Sequence, residues 1–290
     1  MPKPVSAASP TDSNQARSLV QSSLEKLPPF SPILRRLLAN ISVDDDRLSL
    51  ATVGNLIEHD ALTAGKVLGI ANSALYSRGT KIASVAQAVS RLGANRLRNV
   101  ILALSVNRIW GSIQAPDNFS ISRFNQHALA AATAADLLCQ KLCPEFTESA
   151  FVAGLFHDIG ELLLVNLFPG EYSTLLEHVA LEGEELELCE MALFGTTHAE
   201  VSAEACTYWQ LPDEVQTAVR YHVQPEKGPA LPLSRVVNGA DRYANAYGYS
   251  LMDWPYPDEA LHRTLGDLGI GDEEIMSDFV QQLTVLRAVA

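Results

Sequence analysis

The sequence predicts an all-α protein made of two units, and three observations support this prediction. Apolar residues recur every three or four positions along most of the chain, as they do on the buried face of a helix. Sustained alternation of apolar and polar residues, which is the pattern of a half-buried strand, is absent from the sequence. Capping residues precede the periodic segments, and Gly or Pro follows them.

The first unit is predicted to span residues 22–115, after a leader over residues 1–21. The leader is rich in Pro, Ser, Asn and Gln, which bury little apolar surface, so we expect it to be disordered. Ser31 is the expected N-cap of the first helix of this unit, and Pro32 is expected at the first position of that helix. Gly93 is expected to end the helix that begins near residue 84. The helices predicted in this unit lie within 31–41, 49–60, 61–76 and 84–110.

The second unit is predicted to span residues 116–290, after a linker over residues 111–118. Gly183 divides one long periodic segment into two helices, and Pro212 ends another helix. The helical segments of this unit lie within 122–143, 148–164, 169–195, 197–211, 213–222, 232–247 and 272–290.

Charge is distributed unevenly between the two units. The net charge of the 290-residue chain is −13, but residues 1–110 hold 13 Lys and Arg against 7 Asp and Glu. The basic unit either docks on the acidic one, or presents a basic surface to nucleic acid or to an acidic partner. No carboxylate occurs in Ala61–Trp110, whose basic residues are Lys66, Arg78, Lys81, Arg91, Arg96, Arg98 and Arg108.

Several classes of protein are disfavoured by composition. The longest apolar runs are shorter than the ~20 residues that a membrane-spanning helix needs. The N-terminus lacks the hydrophobic core of a secretory signal. The four cysteines are too scattered for a disulfide framework and are expected to be free, buried thiols. These features predict a cytoplasmic protein that does not associate with membranes.

A candidate metal site is formed by histidines and aspartates of the second unit. His157 and Asp158 are adjacent at the predicted end of a helix, and imidazole with carboxylate suits Fe, Mn, Co, Ni or Zn. Helices of a bundle can bring such ligands to one centre, so we expect one or two divalent ions. In the alternative interpretation, Asp158 caps the next helix and His157 donates to a backbone carbonyl. The other candidates, each on or beside a predicted helix, are His127, His198, His222 and Asp241.

The segment "GLFHDIGELLL" (154–164) resembles the His-Asp signature of the HD superfamily of metal-dependent phosphohydrolases. "LPPFSPILRRLL", "LIEHDALTAGKVLGIANSALY" and "IASVAQAVSRLGANRLRNVIL" resemble the N-terminal part of the HD-related output domain, HDOD, and the resemblance covers about residues 22–250. It implies a bacterial signalling module in which an N-terminal helical lobe packs on an HD-like core. Catalysis is commonly lost in this family.

The same resemblance implies roles for individual residues. His127, the pair His157-Asp158 and Asp241 match the metal ligands, while His198 and His222 match the extra histidines of two-metal branches such as the HD-GYP phosphodiesterases. In an active enzyme Asp158 would be the catalytic residue that bridges two ions, with His127, His157 and Asp241 on one ion and His198 and His222 on the other.

Two departures from the HD-GYP pattern bear on activity. Glu161 stands where that branch has Lys, and "YHVQPEKGP" retains only one His of its second motif. Arg242 is the nearest candidate for a transition-state clamp. The sequence therefore favours a non-catalytic regulatory module, and the alternative is a phosphohydrolase or phosphodiesterase acting on a nucleotide or cyclic dinucleotide.

The expected partners are signalling proteins, bound through basic segment 61–110, and a nucleotide is a possible small ligand. Direct DNA reading is disfavoured because the chain as a whole is acidic. The helix after Gly93 is also too apolar for a recognition helix, which would need an exposed polar face. Its apolar residues are Leu97, Val100, Ile101, Leu104 and Val106.

Overall fold

The computed structural model of the protein describes residues 12–27, 60–73, 76–77, 79–110, 115–252, 265–266, 268–271 and 273–287, together with Phe30, Leu34, Leu38, Gly54, Ile57 and Ile113. Within these ranges the chain forms helices and no strand, so the all-α prediction is confirmed. Most of the predicted helices at 31–41 and 49–60 and parts of the 111–118 linker lie outside the described residues. The boundary between residues 115 and 116 stays a prediction.

The helices are numbered here in chain order. They are α1 Ser13–Leu24, α2 Ala61–Ala71, α3 Val85–Leu92, α4 Ala94–Trp110, α5 Ile121–Leu142, α6 Thr147–Phe156, α7 Ile159–Leu167, α8 Pro169–Glu182, α9 Leu186–Phe194, α10 His198–Tyr208, α11 Asp213–Arg220, α12 Pro232–Ala246 and α13 Glu273–Arg287. Two short 3-10 turns lie at Pro144–Phe146 and Pro225–Lys227.

Side-chain caps and left-handed glycines set several of the helix ends. The side chain of Asp60 accepts from the backbone N–H of Leu62, and that of Thr197 accepts from the backbone N–H of Glu200, which satisfies amides that have no partner within the helix. Gly183 ends α8 at φ 70°, in a left-handed conformation that favours glycine. The predicted division at Gly183 is confirmed.

The predicted disorder of the leader is wrong for its second half, because α1 occupies Ser13–Leu24. Ala16, Val20 and Leu24 are spaced four apart and are buried, so a polar segment still has one apolar face. Arg17 forms hydrogen bonds with Thr196 and Glu204, which attach α1 to the second unit. Residues 1–11 lie outside the described residues.

Helix α5 is the centre of the second unit and packs against α6, α12 and α13. Its Ala-rich middle is fully buried, and small side chains there let the neighbouring helices approach closely. A Cβ added at Gly154 of α6 would lie 2.8 Å from the Cα of Ala132 in α5. Close backbone contact thus fixes α6 against α5.

Helix α4 joins the first unit to the second through its contacts with α5 and α6. Leu97, Val100 and Ile101 are buried, which agrees with the prediction that this helix does not present a polar recognition face. Arg98 is only 8% exposed, and its Nη1 lies 3.5 Å from Oε2 of Glu148 in α6. At Arg98, therefore, the basic unit docks on the acidic one.

The chain from Pro144 to Leu167 is long and apolar enough to cross a membrane by length and composition alone. In the structure 89% of its most apolar window is buried inside the protein. A turn at His157 and Asp158 also divides it into α6 and α7. Its apolar composition is accounted for by burial in the core.

We expect Gly160→Ala to destabilise the protein by about 3 kcal/mol, because overpacking in a rigid contact typically costs 1–3 kcal/mol or more. An added Cβ would lie 2.0 Å from the carbonyl oxygen of His198, so α7 and α10 would have to separate. The midpoint of urea unfolding measures the effect.

The control for this prediction is Gly69→Ala in α2, where nothing lies within 4 Å of an added Cβ. This change should leave stability equal or raise it by up to about 1 kcal/mol, because Ala favours a helix over Gly. Equal midpoints for the Gly160→Ala variant and the wild type would contradict the proposed contact.

Candidate metal centre

The structure brings together all six residues of the candidate site. His127 lies in α5, the His157-Asp158 pair lies in the turn between α6 and α7, and His198 is the first residue of α10. His222 follows α11, and Asp241 lies in α12. The four histidines and Asp158 are buried, whereas the side chain of Asp241 is 24% exposed.

The close contact of α7 with α10 places Asp158 near His198. The backbone N–H of Gly160 donates to Oγ of Ser202 at 2.7 Å, and the missing side chain of Gly160 lets the two helices meet. Asp158 and His198 lie at the starts of α7 and α10, so the contact between these helices places both residues at the same end of the helix pair.

Two groups of ligand atoms meet at Asp158. Its Oδ2 lies 3.2 Å from Nε2 of His127 and 3.0 Å from Nε2 of His157, and Oδ1 of Asp241 lies 3.3 Å from Nε2 of His127. Its Oδ1 lies 3.2 Å from Nε2 of His222 and 3.8 Å from Nε2 of His198. Within each group the atoms lie within 4.8 Å of one another, so each group can hold a cation.

All four imidazoles are oriented by acceptors behind them. Nδ1 of His127 lies 2.8 Å from the carbonyl oxygen of Tyr249, and Nδ1 of His198 lies 2.7 Å from Oε2 of Glu190. Nδ1 of His157 lies 2.8 Å from the carbonyl oxygen of Gly154, and Nδ1 of His222 lies 2.7 Å from that of Val219. A carbonyl oxygen only accepts, so Nδ1 donates in the latter two and in His127, and Nε2 faces the cluster.

Helix ends explain two of these orientations. His157 follows α6 and His222 follows α11 by two residues, and each donates to a carbonyl three positions earlier. The last carbonyls of a helix have no partner within the helix, so they are available as acceptors. The free carbonyls at the ends of α6 and α11 therefore fix the orientation of the imidazoles of His157 and His222.

The alternative interpretation of the His-Asp pair is half right. His157 does donate to a backbone carbonyl, but Asp158 makes no side-chain capping bond to α7. The carboxylate of Asp158 instead faces the histidines. The structure thus leaves this side chain available to a cation, and metal ligation by the six residues stays a prediction.

Glu190 is the residue of the site that the sequence analysis missed. It is fully buried and accepts from three donors: the backbone N–H of His198 at 2.8 Å, Nδ1 of the same residue at 2.7 Å and the hydroxyl of Tyr172 at 2.9 Å. Carboxylates behind ligating histidines fix their tautomer and orientation. A Glu inside the apolar segment "LELCEMALF" was the one local signal.

In the metal-free cluster, protons on the histidines supply the positive charge that faces the aspartates. Burial lowers the pKa of His157, but the charge of Asp158 and hydrogen bonds to Asp158 and Asp241 raise it, with a net result of about 9. Burial would raise the pKa of Asp158, but the charge of His157 and hydrogen bonds from three histidines hold it well below its usual value. A cation here would reverse this balance and displace the protons.

A cavity of about 270 Å³ opens beside the cluster, and a second one of about 460 Å³ adjoins it through Leu186, His198 and Val223. Among the described lining residues of the first cavity there is no Lys or Arg. Glu161 lines this cavity, is 4% exposed, and its Oε2 has no hydrogen-bond partner among the described atoms. Arg242 lines the adjoining cavity instead.

Comparison with known proteins identifies the fold and a family. The model of the HDOD domain matches residues 27–225 of this chain. An uncharacterized protein of Treponema pallidum is 22% identical over 209 residues, which amount to 72% of this chain and 40% of that protein. The chain thus spans less than half the length of that relative.

Three solved structures share the fold over nearly the whole chain. An HDOD domain protein of unknown function from Geobacter sulfurreducens has a TM-score of 0.76 at 23% identity, covering 96% of this chain and 99% of that one. A candidate phosphohydrolase from Shewanella amazonensis has a TM-score of 0.72 at 22% identity, covering 94% and 99%. A candidate signal transduction protein from Marinobacter aquaeolei has a TM-score of 0.71 at 22% identity, covering 98% and 66%.

We expect chelator-treated protein to lose stability toward urea as the pH rises from 6.5 through 9. The pKa of His157 is raised to about 9 in the folded state, so its stabilising contribution is complete below the unfolded value of 6.5 and is lost through this window. Unfolding free energies measured at intervals between pH 6 and pH 9.5 test this expectation.

His157→Gln should make this dependence shallower, and His178→Gln, at an exposed histidine of α8, should not change it. Identical slopes for the wild type and His157→Gln between pH 6.5 and 9 would contradict the assigned coupling of His157 to the two aspartates.

Proposed function

The chain belongs to the HDOD domain family, and on that premise we propose that it is a non-catalytic regulatory module whose HD-like core binds one or two divalent cations. One observation carries the proposal: four imidazole Nε2 atoms and the carboxylate of Asp241, from separate segments of the chain, surround the carboxylate of Asp158. The donor set suits Fe, Mn, Co, Ni or Zn. Cations in the two ligand groups would together connect α5, α7, α10, α11 and α12 and so stabilise their arrangement.

The lining of the cavity favours regulation over turnover. A phosphoryl group beside the cations would meet the carboxylate of Glu161, and the described lining offers it no Lys or Arg. Enzymes of phosphoryl transfer place positive charge where negative charge develops in the transition state. The retained ligands support metal binding. The lack of a Lys or Arg in the described lining is consistent with a site that does not catalyse a reaction.

Hydrolysis of a nucleotide or cyclic dinucleotide is the second candidate function. It is favoured by Asp158, whose two oxygens face different ligand groups, and by the open cavity beside them. Cations held by His127, His157 and Asp241 on one side and by His198 and His222 on the other would lower the pKa of a bound water. Asp158 would hold both in position, and Arg242, which lines the adjoining cavity, is the candidate cationic side chain for a substrate.

We propose that a signalling partner binds the basic surface within residues 61–110. Arg96 is exposed and lies over the ring of Tyr76, with its Cζ 5.5 Å from the centroid. Arg91 is half-buried and donates to the carbonyl oxygen of Ala71. Arg98 is excluded from this surface because it is buried between the two units.

Metal analysis of protein purified without added metal tests the main proposal. We expect at least one equivalent of a transition metal in the wild type and its loss in Asp158→Ala, because Asp158 contributes to both ligand groups. Asp278→Ala, which removes an exposed carboxylate outside the metal-capable groups, is the matched control. Failure of the wild type to bind any divalent metal would contradict the proposal.

Activity separates the two candidate functions. With Mn²⁺ or Fe²⁺ added, we expect no release of phosphate or of linear dinucleotide from a panel of phosphoesters and cyclic dinucleotides. Release that disappears in both His157→Ala and Asp158→Ala would establish the hydrolase instead.

The partner surface is tested by the double change Arg91→Ala and Arg96→Ala. It should reduce capture of a signalling partner by at least about tenfold, which corresponds to ~1.4 kcal/mol, and leave metal content unchanged. Lys141→Ala, a change of an exposed basic residue on the second unit, should leave capture unchanged. Equal capture by all three proteins would exclude this surface.

A further inference from the structure

Glu161 is a buried carboxylate that the proposed function does not use. It lies one helical turn after Asp158 in α7, so both side chains lie on the same face and line the same cavity. Glu161 is 4% exposed, and its Oε2 is buried without a hydrogen-bond partner in the part of the chain that the structure describes.

The other fully buried glutamate beside the cluster, Glu190, does have partners. Glu190 is 0% exposed, and its oxygens accept from His198 and Tyr172. Burying an ionised carboxylate without a partner is costly, because the charge loses its hydration. Burial and the charge of Asp158 raise the pKa of Glu161 well above its usual value, so in the metal-free protein this carboxyl holds a proton that a nearby cation would displace.

The second ligand group has room for another anionic residue. It consists of Asp158, His198 and His222, which is one donor fewer than the tetrahedral minimum for a structural zinc site. Asp158 is also shared with the first group, so its single negative charge is divided between two positions. A cation at the second position would leave an excess of positive charge facing the cavity.

We propose that Glu161 is the additional carboxylate of this second cation position. Its oxygens are not among the three-residue group within 4.8 Å, so it acts on the cation by charge and by accepting a hydrogen bond from a water that the cation binds. The inference rests on the proposed metal site and extends it to a hard or borderline ion such as Mn²⁺.

Titration calorimetry of Mn²⁺ into the chelator-stripped full chain tests the inference. The wild type should bind two Mn²⁺ ions. Glu161→Gln should weaken the second binding event by 10-fold or more, within the ~10–100-fold range for residues behind metal ligands, and leave the first unchanged. Glu187→Gln removes a carboxylate that lines the adjoining cavity, and it should bind both ions as the wild type does.

Thermal unfolding separates this role from a structural one. Gln has the size of Glu but no charge, so the metal-free variant should be at least as stable as the metal-free wild type. The rise in Tm on adding Mn²⁺ should be smaller in the variant. Glu161→Met, which has similar length and no charge, should give the same result. A lower Tm of both variants without metal, together with an unchanged rise on adding Mn²⁺, would make Glu161 a structural residue and overturn the inference.

The remaining outcomes distinguish the inference from the proposed function. A wild type that binds no Mn²⁺ overturns both. A wild type that binds two Mn²⁺ ions, with equal affinities in Glu161→Gln, overturns the inference alone. A wild type that binds a single Mn²⁺ ion overturns the second position while the metal site of the proposed function stands.

Discussion

The carboxylate of Asp158 is the group on which the candidate site depends, because its two oxygens face different pairs of imidazoles. Oδ2 lies within 3.2 Å of His127 and His157, and Oδ1 lies within 3.8 Å of His198 and His222. Without that charge, four buried imidazoles would face one another with like lone pairs or like charges, and either arrangement is unfavourable. Asp241 adds a second negative charge on the side of His127 and His157 only.

The position of Asp158 follows in turn from close packing of backbones. Gly160 brings α7 against α10, and Gly154 brings α6 against α5. A side chain at either glycine would separate a pair of helices that carry ligands. Three of the four imidazoles are then oriented by main-chain carbonyls, which do not depend on the identity of neighbouring side chains. The fold itself therefore preorganises most of the site, and Glu190 supplies the remaining orientation through His198.

The contact between the two units also brings a buried charged side chain close to groups of opposite charge. Arg98 of the basic unit is buried beside Glu148 of the acidic one, and Asp136 of α5 lies close enough for Arg98 to influence its titration. Burial raises the pKa of Asp136 to about 6, and the charge of Arg98 opposes this only in part. Helix α5 therefore contributes to both features. His127 belongs to the candidate site, and Asp136, more than two turns further along, interacts with Arg98 of the first unit.

The sequence by itself determined the all-α fold, most helix ends in the second unit and the identity of the candidate ligands. These features are local: periodicity, caps and left-handed glycines act within a few residues, and the ligand types can be read from composition and the His-Asp pair. The prediction of disorder was wrong for Ser13–Leu24, because the buried face of this helix consists of only three apolar positions in a polar segment. Only the tertiary structure decided that Asp158 faces the histidines instead of capping α7 and that Glu190 supports His198. It also decided that Arg98 is buried and that Oε2 of Glu161 is buried with no hydrogen-bond partner among the described residues. Each of these depends on residues distant in the chain, and their proximity is set by helix packing, which no local pattern specifies.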